Sequence, residues 1–401
     1  MGSHGIRDRV AIIGMGCTPF GEHWDKSTDD LLIDAAHEAI ASAGLGIEAI
    51  DAYWLGTMAS GYSGITLSKP LKLDYKPVSR NENFCATGSE ALRNACYAVA
   101  SGAYDVAMAI GVEKLKDSGV SGLHAPGPAT DGTTVGMSAP ALFSLLAPAY
   151  AERYGIDETT MRGVMARIAS RNHGNGALNP RAQFRTEVSV EQVLASPRIA
   201  GWLGVHDCSG VADGSAAAIV CRAEDAHLYT ANPLYVKALS FVAGPAAGPM
   251  DPDYGYTSFE EVVRCRDDAY AQAGVTDPRS ELALAEVHDC FTPTELVLME
   301  DLGFSARGEG WRDVLDGVYD RDGALPVNPD GGLKSFGHPI GASGLRMLFE
   351  CWLQLRGEAP PERQLATVAE GRTLGLTHNL GGAPGACVSF VSIVGTEPAH
   401  A

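Results

Sequence analysis

An α/β fold made of two related halves with a different segment inserted between them is predicted by three features of this 401-residue sequence. First, the order helix, glycine cap, strand occurs near the N-terminus and again in the C-terminal part of the chain. Second, each occurrence is followed by a glycine-containing turn that opens another apolar helix, and then by a buried-looking strand. Third, the alternation stops from about residue 116 to about residue 200. Strands alternating with helices give sheets covered on both faces, with sites at the strand carboxyl ends. The expected division is therefore 1–115, completed by about 201–230, as the N-terminal half, 116–200 as a loop or cap domain, and 231–401 as the C-terminal half.

In the first half, Asp30-Leu31-Leu32-Ile33-Asp34-Ala35-Ala36-His37-Glu38-Ala39-Ile40 carries helical periodicity into Ala43-Gly44-Leu45, where glycine supplies a left-handed cap. The strand Ala52–Gly56 follows. In the second half, 260–270 runs into Ala273-Gly274-Val275 and then an apolar strand over 282–287. The two glycine-containing turns are Cys85-Ala86-Thr87-Gly88-Ser89 and His338-Pro339-Ile340-Gly341-Ala342-Ser343-Gly344. Strands are expected after their helices at 105–112 and at 373–377, the latter leading to Asn379-Leu380-Gly381-Gly382. The insert opens with Gly, Pro and Ser and shows helical periodicity over 141–154, and 213–221 returns as a buried strand that completes the first half.

A hydrophobic content of 45% supplies a large core, so disorder is excluded as the dominant state. With 49 acids against 30 bases the net charge is −19, which opposes phosphate backbones and anionic lipid; neither nucleic acid nor membrane is an expected partner. No apolar run approaches the ~20 residues that cross a bilayer, and the N-terminus lacks a basic-then-apolar leader, so a soluble cytoplasmic chain is expected. Met1-Gly2-Ser3-His4 is set aside as an appended remnant. Nine cysteines in such a chain are expected as thiols, and no Cys-x-x-Cys pair is present. Arg162, Arg167, Arg171, Arg181 and Arg185 occur with no acid between the first and the last. They form either a solvated helix face or a subsite for a phosphate-bearing ligand.

Cys85 follows an extended stretch and opens a helix, where free backbone N–H groups and the helix dipole lower a thiol pKa. The same position suits an inert buried thiol. His338 occupies the corresponding turn of the second half, so superposing two pseudo-symmetric halves brings the pair toward one cleft, where the imidazole takes the thiol proton. A solvent-exposed loop histidine is the alternative. His288-Asp289-Cys290-Phe291 follows a strand that ends at the same cleft. Two thiols and two imidazoles raise the question of zinc, but the paired short spacings of structural zinc sites are missing and no metal is expected. Asn379-Leu380-Gly381-Gly382-Ala383-Pro384-Gly385 reads as a glycine-rich turn whose N–H groups approach a substrate oxygen. No Gly-x-Gly-x-x-Gly run supports a dinucleotide. His206-Asp207-Cys208-Ser209 repeats the His-Asp-Cys order and is placed behind the site. Trp54, Trp202, Trp352, Cys96, Cys221, Cys351 and Cys387 are assigned to packing, and Cys17 and Cys265 have no catalytic companion.

Asn83-Phe84-Cys85-Ala86-Thr87-Gly88, His288-Asp289-Cys290-Phe291 and Gly337-His338-Pro339-Ile340-Gly341-Ala342-Ser343-Gly344, in this order, resemble the thiolase superfamily. The resemblance is to the sterol carrier protein type thiolases and the bacterial and archaeal acetyl-CoA acetyltransferases, and it covers nearly the whole chain, including Met137 and Asp213-Gly214-Ser215-Ala216. It implies a five-layered αβαβα fold of two halves with an inserted loop domain, assembled as a homodimer or homotetramer. It implies that Cys85 is acylated by acyl-CoA, that His338 activates it, and that Cys290 is the second acid/base thiol. His288 would bind a thioester oxygen, with the N–H groups of Cys85 and Gly381 holding the other oxyanion. Coenzyme A enters as substrate, its nucleotide on the loop domain near the arginines. Asn379 stands where ordinary biosynthetic thiolases carry a catalytic cysteine, so Cys290 must take over that work.

Two further readings belong to the same resemblance. Thiolase-related aldolases act as carbon–carbon lyases on steroid side-chain CoA thioesters, but place tyrosines near the thiols retained here. Other thiolase-like chains serve as acyl-CoA-binding subunits beside a small OB-fold, zinc-ribbon protein.

Overall fold

The structure, a computed structural model, describes residues 3–118, 138–248 and 251–398. Met137 and most of the loop 117–140 lie outside them. The strands are β1 (Val10–Cys17), β2 (Ala52–Gly56), β3 (Val78–Asn81), β4 (Val106–Glu113), β5 (Arg198–Ala200), β6 (Leu203–Gly204), β7 (Gly214–Arg222), β8 (Leu234–Ala243), β9 (Leu282–Glu286), β10 (Leu374–Ala383) and β11 (Ala386–Gly395).

One pattern of strands occurs twice, back to back. The first half has the order β3-β2-β4-β7-β1, the second β9-β10-β11-β8, and a short antiparallel contact of Ala11 and Ile12 with Tyr235 and Leu234 joins β1 to β8. Pairings match as well. β3-β2-β4 are parallel and β4-β7-β1 antiparallel, while β9-β10 is parallel and β10-β11-β8 antiparallel. The place of β3 is taken in the second half by a single parallel bridge, Ala285 to Val327.

Five layers follow from where the helices pack. Helix Thr28–Ala43 lies on the outer face of β1, β4 and β7, and helix Glu260–Ala273 on the outer face of β8 and β11. Helix Thr87–Ala100 packs on helix Ser343–Leu355, and the latter touches β1, β4 and β7 of one sheet and β9 and β10 of the other. These two helices form the middle layer, which is why Ser343–Leu355 is buried nearly all round, with Leu345, Leu348, Cys351 and Trp352 in one cluster with Leu92, Cys96, Leu284 and Phe390 and with Arg346, Glu350 and Gln354 on a buried polar stripe. Both outer helices end on left-handed glycines, Gly44 and Gly274, and Ser27 with Asp30 caps the first.

The inserted segment is helical among its described residues: Ala139–Phe143, Leu146–Tyr154, Glu158–Ala177 and Val190–Ala195, plus the β5-β6 ribbon. The helix expected over 141–154 is broken at Ser144-Leu145. Helix Glu158–Ala177 is clamped to the second half by buried polar groups. Arg171 pairs with Glu295, and the Asn172 amide donates to Asp289 and Glu295 at 2.8 Å each. One sequence expectation is corrected here. Asn379–Gly382 is not a turn but part of β10; the hairpin turn lies at Pro384-Gly385, because β11, unforeseen, pairs with β10 along its full length. Buried β1 and β8 were also unforeseen, since short apolar runs without alternation do not announce a strand.

Candidate active site

Helix Thr87–Ala100 and helix Ser343–Leu355 start side by side, and the turns before them carry Cys85 and His338. Their approach depends on missing side chains. A Cβ on Gly111 would lie 2.0 Å from the Gly341 carbonyl oxygen, one on Gly88 2.6 Å from the same atom, and one on Gly341 2.6 Å from the Gly56 oxygen. The halves therefore meet backbone against backbone at the strand carboxyl ends. On the other side, a Cβ on Gly381 would lie 2.5 Å from the Asn83 oxygen, so β10 passes directly against the Cys85 loop. Phe84 holds a left-handed φ of 51°, and the Thr87 hydroxyl bonds the Phe84 carbonyl and accepts the Asn83 N–H at 2.8 Å, fixing the bend that presents Cys85.

The Cys85 Sγ lies 3.2 Å from His338 Nε2. His338 Nδ1 is 2.7 Å from the Ser343 hydroxyl, which itself donates to the Pro339 carbonyl at 2.9 Å. With its one proton committed, Ser343 accepts from Nδ1–H. This assigns the tautomer that leaves a lone pair on Nε2 facing the thiol. The His288 ring stands edge-on to His338, centroids 5.5 Å apart, and its Nδ1 is buried with no hydrogen-bond partner among the described residues. One ligating atom each of Cys85, His288 and His338 lies within 4.8 Å of the other two. Cys290 is not in that trio; it is buried near enough to Cys85 to feel its charge, its thiol 3.8 Å from the Thr294 hydroxyl.

The site is largely enclosed: His288, Cys290 and His338 are buried and Cys85 is half-buried. Burial pushes Cys85 up to about 12, with Glu82 and Glu113 adding to the shift. Burial, with the Arg346 charge, lowers His338 to about 3. Burial likewise raises Cys290, with Cys85 contributing, and holds His288 well below the usual imidazole range, with His338 and His378 contributing. Cys85 precedes the helix by two residues, and burial works against the lowering expected at a helix start. Burial thus favours the neutral thiol and the neutral imidazole.

Asn379 is fully buried; its Oδ1 accepts the Ser89 hydroxyl at 2.6 Å, which leaves its Nδ2 unpartnered among the described residues. The 206–209 segment braces the site from behind. Asp207 accepts the Thr292 hydroxyl at 2.7 Å, its carbonyl takes the buried Lys334 ammonium, and the Ser209 N–H donates to the Cys290 carbonyl at 2.9 Å.

The arginines do not form one basic face, and three of the five are balanced by acids far along the chain. Along a helix, spacings of five and four turn Arg162, Arg167 and Arg171 by about 140° and 40° from one another. Arg171 is buried on Glu295, Arg167 pairs with Asp320, and Arg181 grips Glu38 at 2.6 Å. Arg162 reaches the Leu194 carbonyl, and Arg185 is exposed without a side-chain partner among the described residues. Three residues with structural parts were missed by sequence reasoning: Ser343, His378, and Glu113, which gathers the Thr57 and Ser60 hydroxyls and the Met58 and Ala59 N–H groups of the loop after β2. Glu113 was detectable as the lone acid closing an apolar strand.

Comparison with known proteins gives the class. Residues 10–224 match the family described as "Thiolase, N-terminal domain" and residues 252–395 "Thiolase C-terminal domain-like". The chain belongs to the thiolase family. It is 39% identical over 389 residues to the acetyl-CoA acetyltransferase of Methanothermobacter thermautotrophicus, covering 95% of this chain and 98% of that one. It is 32% identical to sterol carrier protein 2 of Bos taurus, covering 94% of this chain and 70% of the relative. Among solved structures it superposes on the Ltp2-ChsH2(DUF35) aldolase with a TM-score of 0.82 at 25% identity, covering 98% of each chain.

Proposed function

We propose that this thiolase-family chain is a CoA-dependent acyltransferase that cleaves a 3-oxoacyl-CoA with CoA, or forms one by Claisen condensation, through an acyl group carried on Cys85. The observation that carries the reading is the 3.2 Å Cys85–His338 contact with its far ring nitrogen held by Ser343. In cleavage, His338 Nε2 takes the thiol proton as the sulfur attacks the 3-keto carbon. The alkoxide collapses, the bond between C2 and C3 breaks, and the acyl group stays on Cys85. Cys290, a neutral thiol, donates its proton to the departing enolate carbon, releasing acetyl-CoA. Incoming CoA returns a proton to Cys290, its thiolate takes the acyl group, and the freed Cys85 sulfur recovers its proton from His338. His288, the Asn379 amide and the N–H groups of Cys85 and Gly381 serve as donors to the oxyanion and enolate oxygens.

Members of the family act on CoA thioesters, and here the loop domain would carry the CoA nucleotide, with Arg162 and Arg185 as the arginines left to meet its phosphates. A homodimer or homotetramer is supported by β3, an outer strand next to exposed Tyr62, Ile65 and Tyr75 at 99%, 74% and 105% exposure. Acetoacetyl-CoA supplied with CoA should yield acetyl-CoA, mass spectrometry should find acetylated Cys85, and Cys85→Ala should abolish both. Turnover by Cys85→Ala sinks the reading. The likeness to the Ltp2-ChsH2(DUF35) aldolase favours a second reading, a retro-aldol lyase on steroid side-chain CoA thioesters that works with an OB-fold, zinc-ribbon acyl-CoA-binding partner. Aldehyde or ketone release without CoA consumption would select it.

A further inference from the structure

We propose that Cys85, His288 and His338 also constitute a binding site for a soft divalent cation, best matched by Zn2+, and that the cation and the acyl group compete for the same sulfur. The three side chains come from three distant stretches of chain, yet one ligating atom of each lies within 4.8 Å of the other two. Tetrahedral zinc, with bonds of about 2.3 Å to sulfur and about 2.0–2.1 Å to nitrogen, separates its ligand atoms by roughly 3.4–3.6 Å. The Cys85 Sγ to His338 Nε2 distance of 3.2 Å is a few tenths short of that edge, and the His288 atom lies within 4.8 Å of both, so the three side chains must adjust to close on a cation.

Three further features point to a ligand. His338 is presented as zinc-bound imidazoles are, one nitrogen turned inward and the other donating to a fixed oxygen, here the Ser343 hydroxyl at 2.7 Å. His288 is 2% exposed, and its Nδ1 has no hydrogen-bond partner among the described residues, so no contact of the fold occupies that nitrogen. The three residues offer one sulfur and two imidazole nitrogens and no carboxylate, which selects Zn2+ over Mg2+ or Ca2+. Three protein ligands leave a fourth position open. Binding replaces the thiol proton: Cys85–SH and Zn2+ give Cys85–S–Zn+ and a proton released to solvent, with no change of oxidation state.

The test uses the whole protein and Co2+ as a spectroscopic stand-in for Zn2+. Titration should develop a thiolate-to-cobalt charge-transfer absorption saturating at one equivalent, which Zn2+ bleaches. Cys85→Ser, or prior alkylation of Cys85 in the native protein should the variant fail to fold, should remove the band. His288→Ala should weaken Co2+ binding at least tenfold, and one equivalent of Zn2+ should slow Cys85 alkylation at least tenfold, reversibly with chelator. A band that survives both Cys85→Ser and Cys85 alkylation, or no band at millimolar Co2+, overturns the site. Because absorption and alkylation are read without turnover, this result stands apart from whether the protein is an acyltransferase.

Discussion

Gly111→Ala tests whether the interlocked glycines set the catalytic distance. Gly111 lies in β4, away from the reacting atoms, and a Cβ there would sit 2.0 Å from the Gly341 carbonyl oxygen and 2.9 Å from the Ala342 Cα. Ordinary contact begins at 3.4 Å, so the turn that carries His338 must retreat by about 1.4 Å. It has nowhere easy to go, because the Gly341 Cα already faces the Gly56 and Val112 carbonyls, where a Cβ would lie at 2.6 and 2.7 Å. Overpacking of this kind costs about 1–3 kcal/mol, and an ångström of misplacement costs roughly 100-fold in rate. Thermal unfolding should therefore fall by a few degrees while acylation of Cys85, followed by rapid-quench mass spectrometry, slows about 100-fold. Gly163→Ala, in a helix with nothing within 4 Å of the added carbon, is the control and should leave the rate unchanged. An unaltered acylation rate in Gly111→Ala would refute the claim that backbone contact between the halves sets the Cys85–His338 geometry.

The other predictions test single contacts. Ser343→Ala removes the acceptor that fixes the His338 tautomer, and losing one hydrogen bond to a ring that becomes cationic should lower kcat about tenfold with KM little changed. Glu295→Ala strands Arg171 inside the protein and should lower unfolding free energy by about 3–5 kcal/mol, whereas Arg167→Ala, a half-exposed partner of Asp320, should cost about 1 kcal/mol or less in chemical denaturation. Asp301 is raised by burial to about 6, against an ordinary carboxylate value near 4. A raised folded-state value means that the folded protein holds the proton longer, so this group's stabilisation is complete below pH ~4 and is lost as pH rises through about 6. A shift of about two units corresponds to about 3 kcal/mol, so Asp301→Asn should gain on the parent protein between pH 4 and pH 7 by that order in paired urea titrations. A constant difference between the two across that range would contradict it.

Turns and helix starts were legible in the sequence because their chemistry is local. Gly44 and Gly274 cap helices at left-handed φ values of 65° and 76°, and the two turns carrying Cys85 and His338 stand out by glycine and by pattern. Strand β11 and the true course of β10 were not legible, since Asn379, Gly381 and Gly382 have turn chemistry and only the partner strand makes them extended. The arginine cluster misled for a related reason. Adjacency in sequence does not fix direction in space, and the acids that claim Arg167, Arg171 and Arg181 lie at Asp320, Glu295 and Glu38, far along the chain. The protonation state of Cys85 was equally out of reach, because desolvation is a property of the assembled halves.

The placement of charge explains why a thiol and an imidazole can rest neutral at the meeting of two halves. The buried acids Asp289, Glu113, Glu286 and Asp330 are engaged with backbone N–H groups, hydroxyls or a cation. Asp289 accepts the Leu333 N–H at 2.6 Å and anchors the segment leading to His338, Glu113 gathers the loop after β2, and Glu286 and Asp330 neutralise Arg346 behind Phe336. In the proposed reaction, a carboxylate facing the cleft would repel both a developing oxyanion and the phosphates of CoA. Donors without protons to lose at neutral pH are what remain: backbone N–H groups, the Asn379 amide and uncharged imidazoles. In the proposed reaction the two halves thus supply shape and hydrogen-bond donors to the charge that the reaction creates.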